Sequence, residues 1–140
     1  ERDGVQVVLK FHPVMPYSRV AKYLGGQLPG HVTVSQEPII DLMLKSTVML
    51  YTGSTVCIQA LALGLPVVHL RPQFEFDLDP LEGVPEARLE AVGQDGLRQK
   101  VRWLLEHRDQ YVAERRDLWR RLVEEMYAPV TKESYRAFID

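Results

Sequence analysis

Short, nearly continuous apolar runs alternate along the chain with stretches whose apolar residues recur every three to four positions. Val5 to Phe11 is short and β-branched with few polar breaks, as a strand covered on both faces should be, and it ends at His12-Pro13. A short helix is expected around Ser18 to Leu24. Val32 to Ser35 then reads as a second strand after the Pro29-Gly30 break. Pro38 suits the first turn of a following helix, where its missing N–H costs nothing. On that helix Ile39, Ile40, Met43 and Leu44 are expected on one face, with Asp41 and Lys45 outside it. Thr47 to Tyr51 is a third buried strand. Thr52-Gly53-Ser54-Thr55 turns it into a helix from Val56 to Leu63, apolar almost all round and therefore central.

Gly64 supplies the left-handed residue that closes such a helix, and Pro66 opens a fourth strand, Val67 to Leu70, where no helix can continue. Strands alternating with helices make βαβ units, whose right-handed crossovers leave the strands parallel. The expected fold is an α/β, Rossmann-like, doubly wound parallel sheet with helices on both faces, forming one domain over residues 1–140. From Arg71 to Glu82 the pattern breaks into a proline-bounded, acidic and aromatic loop, longer than a connection requires. Arg88 to Val92 reads as a short edge strand. Two C-terminal helices follow, the first marked by Leu97, Val101, Leu104 and Leu105. The second runs from about Asp109 to Met126, with Trp119, Leu122, Val123 and Met126 inward. Its arginines 115, 116, 120 and 121 interleave with Glu114, Asp117, Glu124 and Glu125, a self-compensating solvated face. Pro129 to Asp140 allows one more short helix.

Composition narrows the partners. With 140 residues, 46% of them hydrophobic, the chain suffices for one core, and a net charge of −2 lacks the basic excess of a nucleic-acid binder. One cysteine, Cys57, rules out an internal disulfide and a cysteine-based zinc set, and the composition is that of a cytoplasmic protein. No apolar stretch is long enough to span a bilayer, and Glu1-Arg2-Asp3 does not open a signal peptide. A start without methionine, almost directly in a strand, leads us to expect a segment of something longer.

In open α/β sheets ligands bind outside the carboxyl ends of the strands. Here those ends carry Lys10 and His12, then Ser35-Gln36-Glu37, then Thr52 to Thr55, then His69 and Arg71. At Gly53-Ser54-Thr55, glycine permits close backbone approach, and a helix start offers unpaired N–H groups beside two hydroxyls. The alternative is that Ser54 or Thr55 only caps a buried helix, and the two roles are compatible. His12, aimed by Pro13, is either an imidazole donor to phosphate or a loop histidine with a local hydrogen bond. Glu37 and Asp41 are helix-start carboxylates or, less simply, contacts to base or ribose. Gln59 either reaches a ribose hydroxyl or satisfies itself beside the turn. Glu75, Asp77 and Asp79 lack a glycine-bearing cation loop, so no metal is expected. His31, His69 and His107 have no partners at ligand spacing and are read as structural.

Lys10-Phe11-His12-Pro13, followed by YTGSTVCIQALALGLPVV from 51 to 68, resembles the donor-binding, C-terminal domain of glycosyltransferases of the GT-B fold. The likeness is to bacterial surface- and capsular-polysaccharide enzymes with a Lys-x-His-Pro strand end and covers about residues 5 to 92. More distantly, the segment is similar to the non-hydrolysing UDP-N-acetylglucosamine 2-epimerases. The resemblance implies a nucleotide-sugar donor as substrate, with no further cofactor, whose phosphates meet Gly53, Ser54 and Thr55. His12 matches the histidine that holds donor phosphate and steadies the leaving group. Lys10, Glu37 and Arg71 complete the expected donor rim. Many relatives place glutamate where this chain has Gln59, an amide that can hydrogen-bond a ribose but brings no charge. Acceptor site and general base would come from an N-terminal domain outside this chain. The full-length protein would meet a membrane only peripherally.

Two rivals stay open. An epimerase of the same fold would release an altered sugar nucleotide instead of a transferred sugar. A flavodoxin-like binding module of the receiver type would need acidic residues at the end of its first strand, where this chain has Lys10 and His12.

Overall fold

The computed structural model describes residues 4–23, 25, 27–72 and 78–127. Its elements run β1 (Val7–Leu9), α1 (Tyr17–Val20), a 3₁₀ turn (Ala21–Tyr23), β2 (Val32–Val34), α2 (Ile39–Lys45), β3 (Met49–Tyr51) and α3 (Val56–Ala62). There follow β4 (Val67–Arg71), a second 3₁₀ turn (Pro85–Ala87), β5 (Leu89–Val92) and α4 (Gly93–Met126). The protein is α/β and Rossmann-like, and every strand pair among the described residues is parallel. Instead of one sheet, the described strands form two ladders, β1-β2 and β3-β4-β5. The chain divides correspondingly into two compact units, residues 1–42 and 43–140. Glu75, Asp77 and the tail helix expected at 129–140 lie outside the described residues.

In the first unit, β1 and β2 pair in register from Val7 with Val32 to Leu9 with Val34. The ladder continues through Val7 N–H to His31 O at 2.8 Å and Ser35 N–H to Leu9 O at 3.0 Å. Side chains alternate faces along a strand, and the register partners Val8 and Thr33 are both exposed, so β1 is not covered on both faces as its apolar run suggests. Pro38 O accepts from Leu42 N–H at 3.2 Å and so opens α2. The inward stripe of α2 is Ile39, Leu42 and Met43, whereas Ile40 and Leu44 are exposed. Four-residue spacing alone suits either face of so short a helix, and burial selects the one containing Leu42.

The buried core of the described residues lies at Leu42 and beyond. The second unit orders its strands β3-β4-β5, with Met49 opposite Val67 and Val68 opposite Leu89. Val67, Val68, Cys57, Ala60, Leu81 and Leu104 are fully enclosed around it. Small residues at 57 and 60 let α3 sit close to its neighbours, although Leu63 emerges to 42% exposure. Gly64 takes φ +71°, and the helix closes by Gly64 N–H to Leu61 O and Leu65 N–H to Ala60 O, both 2.9 Å. This paired bonding is the left-handed helix stop expected of glycine there.

The two expected C-terminal helices are continuous as α4, broken only at His107, whose φ of −121° and ψ of 16° are not helical. The His107 Nδ1–H donates to Trp103 O at 2.8 Å. A side chain inserted on a backbone acceptor is a recognised cause of a kink. Leu104, Tyr111, Trp119 and Leu122 carry the buried stripe, while Met126 is exposed. Trp119 fastens the helix to the loop before β5 by donating Nε1–H to Ala87 O at 2.8 Å. On the outer face Arg120 pairs with Asp117 at 2.9 Å, and Arg115 with Glu114 at 3.4 Å, as a compensated helix surface should. No helix among the described residues is long and apolar enough to cross a membrane.

Candidate functional site

Tyr51 ends β3 in the core, and the chain emerges immediately: Thr52, Gly53 and Thr55 are exposed. Glycine at 53 answers a need for space. Its φ is not positive, but a Cβ there would lie 3.1 Å from the Leu78 Cβ and 3.4 Å from the Leu78 carbonyl oxygen. Ser54 Oγ accepts from Val56 N–H at 3.4 Å, and Ser54 O accepts from Cys57 N–H at 3.2 Å. Thr55 O takes Ile58 N–H at 3.0 Å. The N–H groups of Val56, Cys57 and Ile58, expected to await a phosphate, are therefore already engaged within the turn. What the turn presents outward is hydroxyl chemistry. The Ser54 O–H proton remains available to an acceptor, and the Thr55 hydroxyl makes no cap bond although Thr55 holds the cap position. Gln59 lies half-buried one turn further along α3.

Beside this turn lies a polar cluster that sequence reasoning did not assemble. The register sets Tyr51 opposite His69 and His69 opposite Glu90, one row that runs from the last residue of β3 through the middle of β4 to the second residue of β5. Arg71 lies two positions after His69 and Arg88 two before Glu90, so both share that row's face from opposite sides. Asp79, with its carboxylate almost fully buried, is the hub. It accepts from Tyr51 Oη–H at 2.8 Å, from Leu81 N–H at 3.0 Å and from Arg88 Nε–H. Arg88 also reaches Glu90 at 3.2 Å. Fully enclosed His69 has its Nδ1 3.7 Å from Asp79 and 3.9 Å from Glu90, and its ring is tilted against Tyr51 at 5.2 Å.

Burial above all, then the hydrogen bond and negative charge of Asp79, pushes the Tyr51 phenol far above its ordinary 10.0, so it donates and does not act as a base. Burial and the same carboxylate push the Cys57 thiol up to about 11, which keeps it a protonated, inert packing group. The signal available in sequence was a polar, ionisable residue type at every second position, His69-x-Arg71 and Arg88-x-Glu90, within otherwise apolar strands. A buried charge requires a partner. Which partner was not legible.

Of the expected donor rim, Gly53, Ser54, Thr55, Gln59 and Arg71 belong to the second unit, and Lys10, His12 and Glu37 to the first. Arg71 is exposed, but Glu90 accepts from its Nη1–H at 3.3 Å, so its charge is partly balanced. In the first unit the parallel register brings the ends of β1 and β2, with Lys10, His12 and Glu37, to the same edge of the ladder. All three are exposed. His12 Nδ1 accepts from Val14 N–H at 3.2 Å, which leaves Nε2 as the donor facing away in the neutral ring. Glu37 precedes α2 instead of lying in its first turn, and its N–H donates to Ser35 Oγ at 3.1 Å. Two hollows of the first unit, one at Gly30 and His31 and one at Arg19, Lys22 and Tyr23, touch none of the candidate residues. Asp79, read beforehand as one of an acidic run, is committed to Arg88 and Tyr51, and no group of three metal-ligating side chains occurs among the described residues.

Comparison of the chain with known protein families, curated proteins and solved structures finds no match.

Proposed function

We propose that this chain is the donor-binding half of a glycosyltransferase that uses a nucleotide sugar, acting in bacterial surface-polysaccharide or glycoconjugate synthesis. The observation that carries the reading is the turn at the carboxyl end of β3. It is exposed and hydroxyl-bearing, while Tyr51 before it and Cys57 and Ile58 after it are buried. Open parallel α/β sheets take their ligands at that end.

In this reading the Ser54 and Thr55 hydroxyls donate to the donor's phosphate oxygens, and Gln59 hydrogen-bonds a ribose hydroxyl. Arg71, on the neighbouring strand of the same unit, contributes positive charge. Donors aimed at a developing charge lower the barrier most where they need not reorganise. A further domain of the full-length enzyme would hold the acceptor and supply the base that activates it. The chain alone then binds nucleotide weakly and turns over nothing.

Titration with UDP, CDP, CMP, GDP and ADP, followed by amide chemical shifts, tests the proposal. Saturable shifts at residues 53–55 with one nucleotide are expected and identify the base. An absence of shifts with all five, or sugar transfer by the chain alone, contradicts it.

A further inference from the structure

Between Gly4 and Gln36 the sequence carries Lys10, Arg19 and Lys22 and no acidic residue, although the chain as a whole stands at −2. Within this acid-free stretch the first unit exposes apolar groups around α1 and the 3₁₀ turn: Val14 is 68% exposed, Met15 50% and Tyr23 76%. Single exposed apolar side chains are ordinary, but these are grouped with cations. Met15, Ser18, Arg19, Val20, Lys22 and Tyr23 line one hollow. The loop that carries Val14 and Met15 is tied down. Val14 N–H donates to His12 Nδ1 at 3.2 Å, Met15 N–H donates to His12 O at 2.9 Å, and the Phe11 ring lies 5.5 Å from that of Tyr17. Arg19 commits one Nη1–H to Val14 O at 3.1 Å, and Lys22 Nζ lies 4.8 Å from the centre of the Tyr23 ring. Neither cation has a carboxylate partner among the described residues. We propose that this face of the first unit docks on an anionic lipid bilayer.

The partner has to satisfy charge and hydrocarbon together. Two cations without carboxylate partners are drawn to a negatively charged surface, each by a separate increment. Val14 and Met15 gain only where water is excluded. A tyrosine settles at headgroup depth, with its ring among hydrocarbon and its hydroxyl in water. A nucleic acid would answer the charge and leave the aliphatic groups wet. An acidic, amphipathic protein segment would answer both, but here the apolar groups are more than half exposed or close to it and do not enclose a slot. Projecting groups suit a medium that yields around them. Ser18, Arg19 and Lys22 then meet headgroup phosphates while Val14 and Met15 enter the boundary below. This inference depends on the first unit alone and not on the donor-site reading.

The test measures co-sedimentation of the 140-residue chain with vesicles of equal parts phosphatidylglycerol and phosphatidylcholine, and with vesicles of phosphatidylcholine alone. Far-UV circular dichroism checks that each variant is folded; all the altered side chains are exposed. The unaltered chain should partition onto the anionic vesicles only, and salt at about 1 M, where the screening length is about 3 Å, should release it. Arg19→Gln with Lys22→Gln should lower the partition coefficient roughly thirtyfold. Met15→Ser with Tyr23→Ser should lower it roughly fivefold to tenfold. Arg98→Gln with Arg116→Gln removes the same charge from α4 and should change it by less than about twofold. Equal partition onto both vesicle types, or none onto either, overturns the proposal. So does a loss in the α4 variant as large as that in Arg19→Gln with Lys22→Gln, because net charge and not this face would then govern binding. Saturable binding of a peptide of alternating glutamate and leucine by a chain that ignores anionic vesicles would put a protein partner on this face and overturn the lipid assignment.

Discussion

Replacing Arg88 with methionine probes the hub most directly. The change roughly keeps the volume of a side chain that is 8% exposed and removes the only cation bonded to the Asp79 carboxylate among the described residues. Asp79 would retain Tyr51 and Leu81 N–H as donors, but at 2% side-chain exposure it could not recruit water. Glu90 loses Arg88 too, yet it is 33% exposed and keeps Arg71 at 3.3 Å, so it is not stranded. The cost therefore falls on one buried, uncompensated charge, for which about 3 to 5 kcal/mol is typical. With an m-value near 1.5 kcal/mol per molar urea, the unfolding midpoint should drop by about 2 to 3 M.

Far-UV circular dichroism against urea measures this. The double variant Arg88→Met with Asp79→Asn provides the control, since removing both charges should recover a substantial part of the loss as a coupling energy. A midpoint shift of Arg88→Met below about 0.5 M at unchanged slope, or a double variant no better than the single, would refute the assignment of Asp79 as a buried charge dependent on Arg88.

Four other outcomes follow from the same geometry. The Tyr111 hydroxyl is buried without a hydrogen-bond partner among the described residues, so Tyr111→Phe should stabilise by up to about 1 kcal/mol, read as a raised Tm; a fall of that size would mean the hydroxyl is satisfied. Gly64 has φ +71° and open space around its Cβ position, so Gly64→Ala should cost about 1 to 2 kcal/mol from backbone conformation alone. Gly83, also in open space but without positive φ, should tolerate alanine with little change in urea midpoint. Finally, the folded Cys57 thiol, pushed up to about 11 from 9.0, holds its proton more tightly than the unfolded one. Its contribution is whole below pH 9.0 and is lost as pH rises towards 11, a fall of about 2 to 3 kcal/mol that should be shallower in Cys57→Ala.

Much of the second unit was legible before any coordinates. Apolar runs bounded by turn residues located β3, α3 and β4, and Gly64-Leu65-Pro66 marked the break between helix and strand because few residues tolerate those backbone angles. Such signals are local: each depends on residues within one or two turns of each other. The inward face of α2 was less legible, because Ile39, Ile40, Leu42, Met43 and Leu44 crowd seven residues with apolar side chains. The division of the strands into two ladders was not legible either, since each strand looks alike whichever neighbour it pairs with.

Within the candidate site the same boundary holds. The turn at 52–55 could be placed at a strand end from sequence alone, because glycine and hydroxyl residues between an apolar strand and an apolar helix have few other positions to occupy. The tertiary structure alone decided that Gly53 makes room for Leu78, that the helix-start N–H groups are consumed by Ser54 and Thr55, and that Asp79 meets Tyr51 across 28 positions of chain. Parallel strands joined by crossovers bring distant residues into one row, and the low polarity of the interior then requires each buried charge to find its counterpart there. Sequence determined which residues were able to do this chemistry; the strand register determined which of them met.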